Sequence, residues 1–222
     1  MKIQKAQKTA ILFGATGLVG GYCLELLLES PLYSNVKAFN RRKLNIQHPK
    51  YEEYIIDFDE LENYADWIVG DDVFCCLGTT RKKAGSKAAF SKVDYTYVLE
   101  AAKVAAKNKA NQFLLVSAVG ADKDSMFFYN QIKGEIEVAV QQLNYWSIHI
   151  FRPSLLLGSR DEFRIAEKLA TYASGIFNLV TDRLAPKYSA VHGEQVAKAM
   201  ILAAQRIDNG IFIYESDEIQ QF

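Results

Sequence analysis

The amino-acid sequence predicts an α/β protein built on a doubly wound parallel sheet with a small C-terminal lobe, and three observations predict it. Short β-rich runs alternate with longer stretches that carry apolar residues at helical spacing, the order that right-handed strand, helix, strand units require. A glycine-rich turn follows the first of these runs directly. The 222 residues are 50% hydrophobic and 23% charged, with no biased tract, which is enough to bury one generous core and short for two.

Taken in order, strands are expected at residues 9–13, 35–40, 54–57, 73–77, 112–117 and 147–151, each a short apolar run bounded by polar or glycine residues. Helices are expected at 18–28, 90–108 and 126–143. In the last of these Ile132, Ile136 and Val140 recur every fourth residue and line one stripe. After Pro153 the alternation weakens into a helix near 162–174, a loop ending in Val191-His192, a helix over 194–205 and a short strand at 210–214. No Pro, Gly or Ser linker separates this part, so residues 153–222 read as a substrate-side elaboration of a single domain spanning 1–222.

Charge and composition disfavour several functions. Lys plus Arg and Asp plus Glu each total 26, so no overall attraction to nucleic acid or to an anionic bilayer is available. No run approaches the roughly 18 apolar residues that insert into a membrane, and Ile11-Leu12-Phe13 is interrupted by Gly14 too early to form a signal-peptide core. Cys23, Cys75 and Cys76 are an odd set without metal-ligand spacing. They are expected to be reduced core thiols in a cytoplasmic protein.

Gly14-Ala15-Thr16-Gly17-Leu18-Val19-Gly20 joins the first strand to the first helix. A dinucleotide pyrophosphate needs such a junction, because glycines let the backbone turn sharply and approach closely while the helix N-terminus offers free N–H groups. The spacing is GxxGxxG rather than GxGxxG, and a purely structural tight turn is the competing reading. Asn40-Arg41-Arg42 then ends the second strand with cations where a carboxylate would select NAD, so a 2′-phosphate, and hence NADP(H), is expected; the other reading is two solvated arginines opening a polar loop. Asp57-Phe58, after the third strand, could meet the adenine amino group, although an Asp there also serves as a helix cap.

Ser117 closes the fifth strand, Tyr129 follows twelve residues later and Lys133 four after that. On a helix the last interval stacks the ammonium one turn from the phenol on the same face. A tyrosine phenol, with its reference pKa near 10, is a poor proton donor or acceptor at pH 7 until a cation stabilises the phenolate, and Lys133 is such a cation. Ser117, at the carboxyl edge of the sheet, is available to hydrogen-bond the substrate oxygen. A core tyrosine with an exposed lysine gives the same spacing by chance.

These motifs together resemble the short-chain dehydrogenase/reductase superfamily in its atypical, extended-like branch. Within it the chain is most similar to the TIP30/CC3 (HTATIP2-like) NADP-binding oxidoreductase family, which includes nucleoside-diphosphate-sugar epimerase-like proteins. The resemblance runs over nearly the whole chain, through Gly14 to Gly20, Asn40-Arg41-Arg42, Cys76-Leu77-Gly78-Thr79-Thr80-Arg81 with Ala84-Gly85-Ser86, Val93-Asp94, Ser117 with Gly120-Ala121-Asp122, Tyr129 and Lys133-Gly134-Glu135, and Phe151-Arg152-Pro153. It implies that Leu77, Gly78 and Thr79 line the ribose side of the cofactor and that Tyr129 and Lys133 are the acid–base pair. It also implies that Pro153, Leu155 and Leu156 pack by the nicotinamide, that Arg164 approaches the phosphates and that His192 is structural. Ser154 stands where many relatives have Gly, a departure on the nicotinamide side. Arg81-Lys82-Lys83 is either a solvated basic loop or a place for an anionic substrate.

The expected function is an NADP-dependent oxidoreductase that moves hydride between nicotinamide and a carbonyl or carbinol of a small-molecule substrate. The alternatives are an NADPH-binding regulator or sensor acting through a protein partner, and a sugar-nucleotide epimerase or dehydratase.

Overall fold

Successive residues of a strand point to opposite faces, and here both faces are apolar. In β1 (Lys8–Phe13) Ala10 and Leu12 belong to one buried cluster while Ile11 and Phe13 belong to another. Leu114 and its neighbours Phe113 and Leu115 divide in the same way in β5 (Gln112–Val116). A strand buried on both faces needs helices on both. The computed structural model describes residues 8–158, 188–206 and 208–222, and it has that arrangement.

The main sheet holds seven parallel strands in the order β3-β2-β1-β4-β5-β6-β9, with β2 Tyr33–Asn40, β3 Tyr51–Ile55, β4 Asp72–Cys75, β6 Ser147–Arg152 and β9 Gly210–Glu215. A two-stranded parallel ribbon, β7 (Leu156–Leu157) with β8 (Val191–His192), stands apart from it. On one face α1 (Leu18–Glu29) packs against a later helix, Gly193–Ala203, through Cys23, Leu24, Val196, Ala197 and Met200. The other face is covered by a 3-10 segment, Phe58–Trp67, and by the helices that follow β4 and β5.

Those later helices are α2 (Arg81–Ala84), α3 (Lys87–Ser91), α4 (Val98–Lys107) and α5 (Phe128–Gln141). Gly193–Ala203 is α6 and Ser216–Gln220 is α7. The single helix expected over 90–108 is interrupted: a π-helical turn, Lys92–Tyr97, joins α3 to α4 and turns Asp94 into the interior. The third strand lies earlier than expected because Val36 to Asn40 of β2 pair with Tyr51 to Ile55, while Asp57 leaves the sheet and caps the 3-10 segment by accepting a hydrogen bond from Asp59 N at 2.9 Å. The strand expected at 210–214 within the C-terminal elaboration pairs with β6 throughout its length and completes the main sheet. The helix expected near 162–174, and Arg164 with it, lies outside the described residues.

Candidate functional site

At the carboxyl edge of a parallel sheet the chain crosses from strands to helices, and a ligand there meets helix N-termini. Where β1 feeds α1, Gly14 adopts φ +85°, and a Cβ on it would lie 2.7 Å from the Cys76 carbonyl oxygen. At Gly20 a Cβ would lie 2.1 Å from the Gly14 carbonyl oxygen. These two glycines let segments of this chain approach one another. Gly17 differs: it caps α1, is exposed, and a Cβ there would meet only the Gly14 oxygen, at 3.3 Å. No side chain caps α1, so its first N–H groups are left for a ligand.

Gly14, Thr16 and Gly17 form one wall of a cleft; Phe39, Asn40 and Arg41 from the end of β2, Phe58 after β3, and Cys76, Leu77 and Gly78 after β4 form the others. Val93 and Tyr97 of the π-helical turn close it. The cleft therefore gathers the glycine turn, Arg41, Phe58, and the adjacent Leu77 and Gly78 from four separate stretches of sequence. Arg42 follows Arg41 on the exposed loop, Ala15 and Val19 are buried beneath the turn, and Leu18 packs toward Gly158 and Gly193. A nicotinamide dinucleotide fits these groups: open backbone donors for a pyrophosphate, the aromatic rings of Phe58 and Tyr97, which pack on each other at 5.4 Å, and a cation at the rim.

Leu77, Gly78 and Thr79 lead from this cleft to Lys133. Lys133 is 5% exposed, and its Nζ lies 2.8 Å from Asp94 Oδ1, while Asp94 Oδ2 accepts the Thr79 N–H at 2.8 Å. Burial opposes the ammonium charge, but Asp94, and after it Tyr129, outweigh that and hold the Lys133 pKa above the ordinary lysine value. Lys133 is thus a stored cation whose charge is secured by a carboxylate from a different helix. Tyr129, one turn earlier on α5, packs its ring on Phe90 at 5.5 Å between centroids.

The third member of the expected constellation, Ser117, is engaged by a further residue of α5. Ser117 Oγ donates to Glu137 Oε1, and Glu137 in turn receives Arg152 Nη2 at 2.5 Å and Nε at 3.1 Å. Arg152 also reaches Glu215 at 3.1 Å, so the ends of β5, β6 and β9 are tied to α5 by one ionic network. Pro153 is buried and its carbonyl accepts the Val119 N–H, Leu155 is exposed, and Leu156 is half-buried in β7. His192 is exposed at the N-cap of α6 and makes no side-chain cap bond.

Asp94 and Glu137 carry these networks, and sequence reasoning assigned a role to neither. For Glu137 the signal was present: Tyr129, Lys133 and Glu137 are spaced four apart, one stripe of α5. Asp94 stood in the sequence only within the Val93-Asp94 motif of the resemblance, with no role attached, and an ordinary helix gives no reason to turn it inward; it lies buried in the π turn.

The NAD(P)H-binding family matches residues 14–145, more than half of the chain. HTATIP2 of Rattus norvegicus is 40% identical over 198 residues, 87% of this chain and 80% of that protein. The mitochondrial protein fmp52 of Emericella nidulans is 31% identical over 225 residues, 94% of this chain and 96% of that one. Among solved structures, MoeE5 in complex with UDP-glucose and NAD superposes with a TM-score of 0.71 at 16% identity, covering 92% of this chain and 74% of that one. The UDP-N-acetylglucosamine 4-epimerase of Methanobrevibacter ruminantium gives 0.67 at 15% identity, covering 94% and 76%. No helix among the described residues is long and apolar enough to cross a membrane. Matched from the glycine turn through α5, and alike over most of its length to HTATIP2 and the fungal FMP52 proteins, the chain belongs to the NAD(P)H-binding family.

Proposed function

We propose that this protein is an NADP(H)-dependent oxidoreductase acting on a carbonyl or carbinol substrate. The observation that carries the reading is the buried Asp94–Lys133 pair beside Gly78, one helical turn from Tyr129. A lysine kept charged out of water costs several kcal/mol unless it is paired, and its position between the cleft and a phenol accounts for that cost. When bound, the nicotinamide cofactor supplies or accepts the hydride. Tyr129 moves the proton to or from the substrate oxygen. Lys133 holds the nicotinamide ribose and provides the positive charge beside the phenol. Ser117, whose own proton is engaged by Glu137, offers a lone pair to a carbinol O–H; donation to a carbonyl requires its hydroxyl to turn away from Glu137.

Arg41 at the cleft rim supports NADP over NAD, since a guanidinium matches a phosphate with charge-assisted hydrogen bonds. Residues 1–222 act as one unit in this reading, with Pro153, Leu155 and Leu156 on the nicotinamide side. Three free cysteines suit a reducing compartment and support the cytoplasm; the fungal relatives are named as mitochondrial proteins, and subcellular fractionation decides between the two.

The test is NADPH oxidation against a panel of aldehydes, ketones and quinones. Tyr129→Phe is expected to lower turnover by about 10²–10⁴ with NADPH affinity nearly unchanged, the usual share of general acid–base catalysis. Lys133→Ala is expected to lower both. If no compound is turned over faster by the wild type than by Tyr129→Phe, while NADPH binding alters association with a protein partner, the protein is a cofactor sensor and the catalytic reading falls.

A further inference from the structure

We infer that the two short helices after β4 form a binding rim for the anionic end of the substrate, a carboxylate or phosphate monoester carried by the same molecule whose carbonyl carbon reacts beside Tyr129. The inference deepens the oxidoreductase reading and rests on it for the position of the reacting carbon.

The rim is a built structure. Thr80 caps α2 by accepting the Lys83 N–H at 3.2 Å, Gly85 ends it at φ +79°, and Ser86 caps α3 by accepting the Ala89 N–H at 3.0 Å. These turns bring Arg81, Lys82, Gly85, Ser86 and Lys87 around one concavity. Arg81, Lys82 and Lys87 are exposed and make no ion pair among the described residues. Other surface lysines on the same side of the chain do: Lys92 is engaged by Asp59 at 2.7 Å, Lys103 by Glu100 at 2.8 Å and Lys107 by Glu62 at 2.7 Å. Among the described residues, positive charge is therefore neutralised along the π turn and α4, while Arg81 and Lys82 of α2 and Lys87 of α3 make no ion pair.

The concavity is also indexed to the reaction site at both ends. Just before α2, the Thr79 N–H is held by Asp94, the carboxylate that pairs with Lys133. In α3, Lys87 Nζ lies 5.1 Å from the centroid of the Phe128 ring. Phe90, one turn on, packs on Phe128 at 5.8 Å and on Tyr129 at 5.5 Å. A cation seated on the residue adjoining Tyr129 meets a charge at the far end of a small carbonyl compound, and a guanidinium beside it supplies forked donors for its oxygens. The cofactor's phosphates have separate partners in this reading, at the glycine turn and Arg41.

The experiment compares aldehyde pairs that differ in the anion: succinic semialdehyde against butyraldehyde, and glyceraldehyde 3-phosphate against glyceraldehyde. Each is assayed for NADPH oxidation, and succinate and glycerol 3-phosphate are titrated calorimetrically into the NADPH-loaded protein. At least one anionic aldehyde is expected to show a KM at least tenfold below its neutral partner, an advantage that shrinks as salt is raised. Arg81→Ala/Lys87→Ala is expected to abolish that advantage and to weaken binding of the matching anion about tenfold, with NADPH affinity unchanged. Arg81→Lys/Lys87→Arg should retain most of it. The rim is refuted if aldehydes react but neutral and anionic partners behave alike, if neither anion binds, if the double alanine variant keeps the preference, or if NADPH affinity falls in parallel with the anion's. If no aldehyde reacts yet the anion binds and the double variant loses it, the rim stands and the oxidoreductase reading fails.

Discussion

Two buried carboxylates flank the same strand, and their surroundings differ. Asp72 opens β4 at the amino edge of the sheet, where it accepts from Lys8 Nζ at 2.9 Å, from the Tyr33 hydroxyl at 2.7 Å and from Gln112 Nε2 at 3.1 Å. Asp94 lies beyond the other end of β4 and holds Thr79 and Lys133. Around Asp72 burial prevails and pushes the carboxyl above its ordinary range although Lys8 opposes it. Around Lys133 the ion pair prevails over burial. The first network is closed by partners from β1, β2 and β5 and joins strands. The second reaches the cleft through Gly78, at which a Cβ would lie 3.3 Å from Asp94 and 3.7 Å from Lys133. One chemical device thus serves cohesion at one edge of the sheet and keeps a charge ready at the other.

The comparison breaks most readily at the carboxylates themselves. Asp72→Ala leaves buried donors unpaired and is expected to cost roughly 3–5 kcal/mol in urea unfolding, with NADPH affinity of the folded protein unchanged. Asp94→Ala should weaken NADPH binding as well as stability. Equal losses of NADPH affinity in the two variants would show that the edges do not differ in role.

The glycine turn sharpens the same contrast within seven residues. Gly17→Val is expected to melt within a few degrees of wild type yet lose at least 100-fold in NADPH affinity, about 3 kcal/mol, because its side chain points into ligand space. Gly20→Val should fail to reach wild-type stability, since its Cβ collides with the Gly14 carbonyl. A Gly17→Val protein that binds NADPH normally would remove the pyrophosphate from this turn.

The interior of the sheet predicts an acid sensitivity of similar size. His149 on β6 is fully buried beside the rings of Phe212 and Tyr214, with Ser147 Oγ at 2.8 Å from Nε2. Burial, and after it Arg206, lowers its pKa from 6.5 to about 4. The unfolded chain therefore takes up a proton below pH 6.5 that the folded protein refuses, and stability is lost as pH falls from 6.5 toward 4, by up to about 3 kcal/mol at the lower end. Urea unfolding across that range should show the slope, and His149→Gln, less stable at pH 7, should reduce it.

The smallest effect concerns cofactor choice. Arg41→Ala/Arg42→Ala is expected to reduce the preference for NADPH over NADH by at least tenfold while leaving NADH affinity near its wild-type value. Equal wild-type affinities for both cofactors would withdraw the assignment to NADP.

Local pattern carried much of this protein. The unbroken apolar run Ala10 to Phe13 points to a strand covered on both faces, and the three glycines after it mark a tight strand-to-helix turn. The Tyr129 and Lys133 stripe is likewise a property of helical spacing alone. Tertiary structure decided which charges meet across the chain. Thr79, Asp94 and Lys133 converge because a π turn rotates Asp94 inward, and Ser117, Glu137, Arg152 and Glu215 converge because β5, β6 and β9 end side by side. It also decided that Gly210 to Glu215 extends the main sheet, through pairing with β6 some sixty residues away. A hydrogen bond or ion pair depends on distances between segments, and sequence spacing sets those distances only within a single helix or strand.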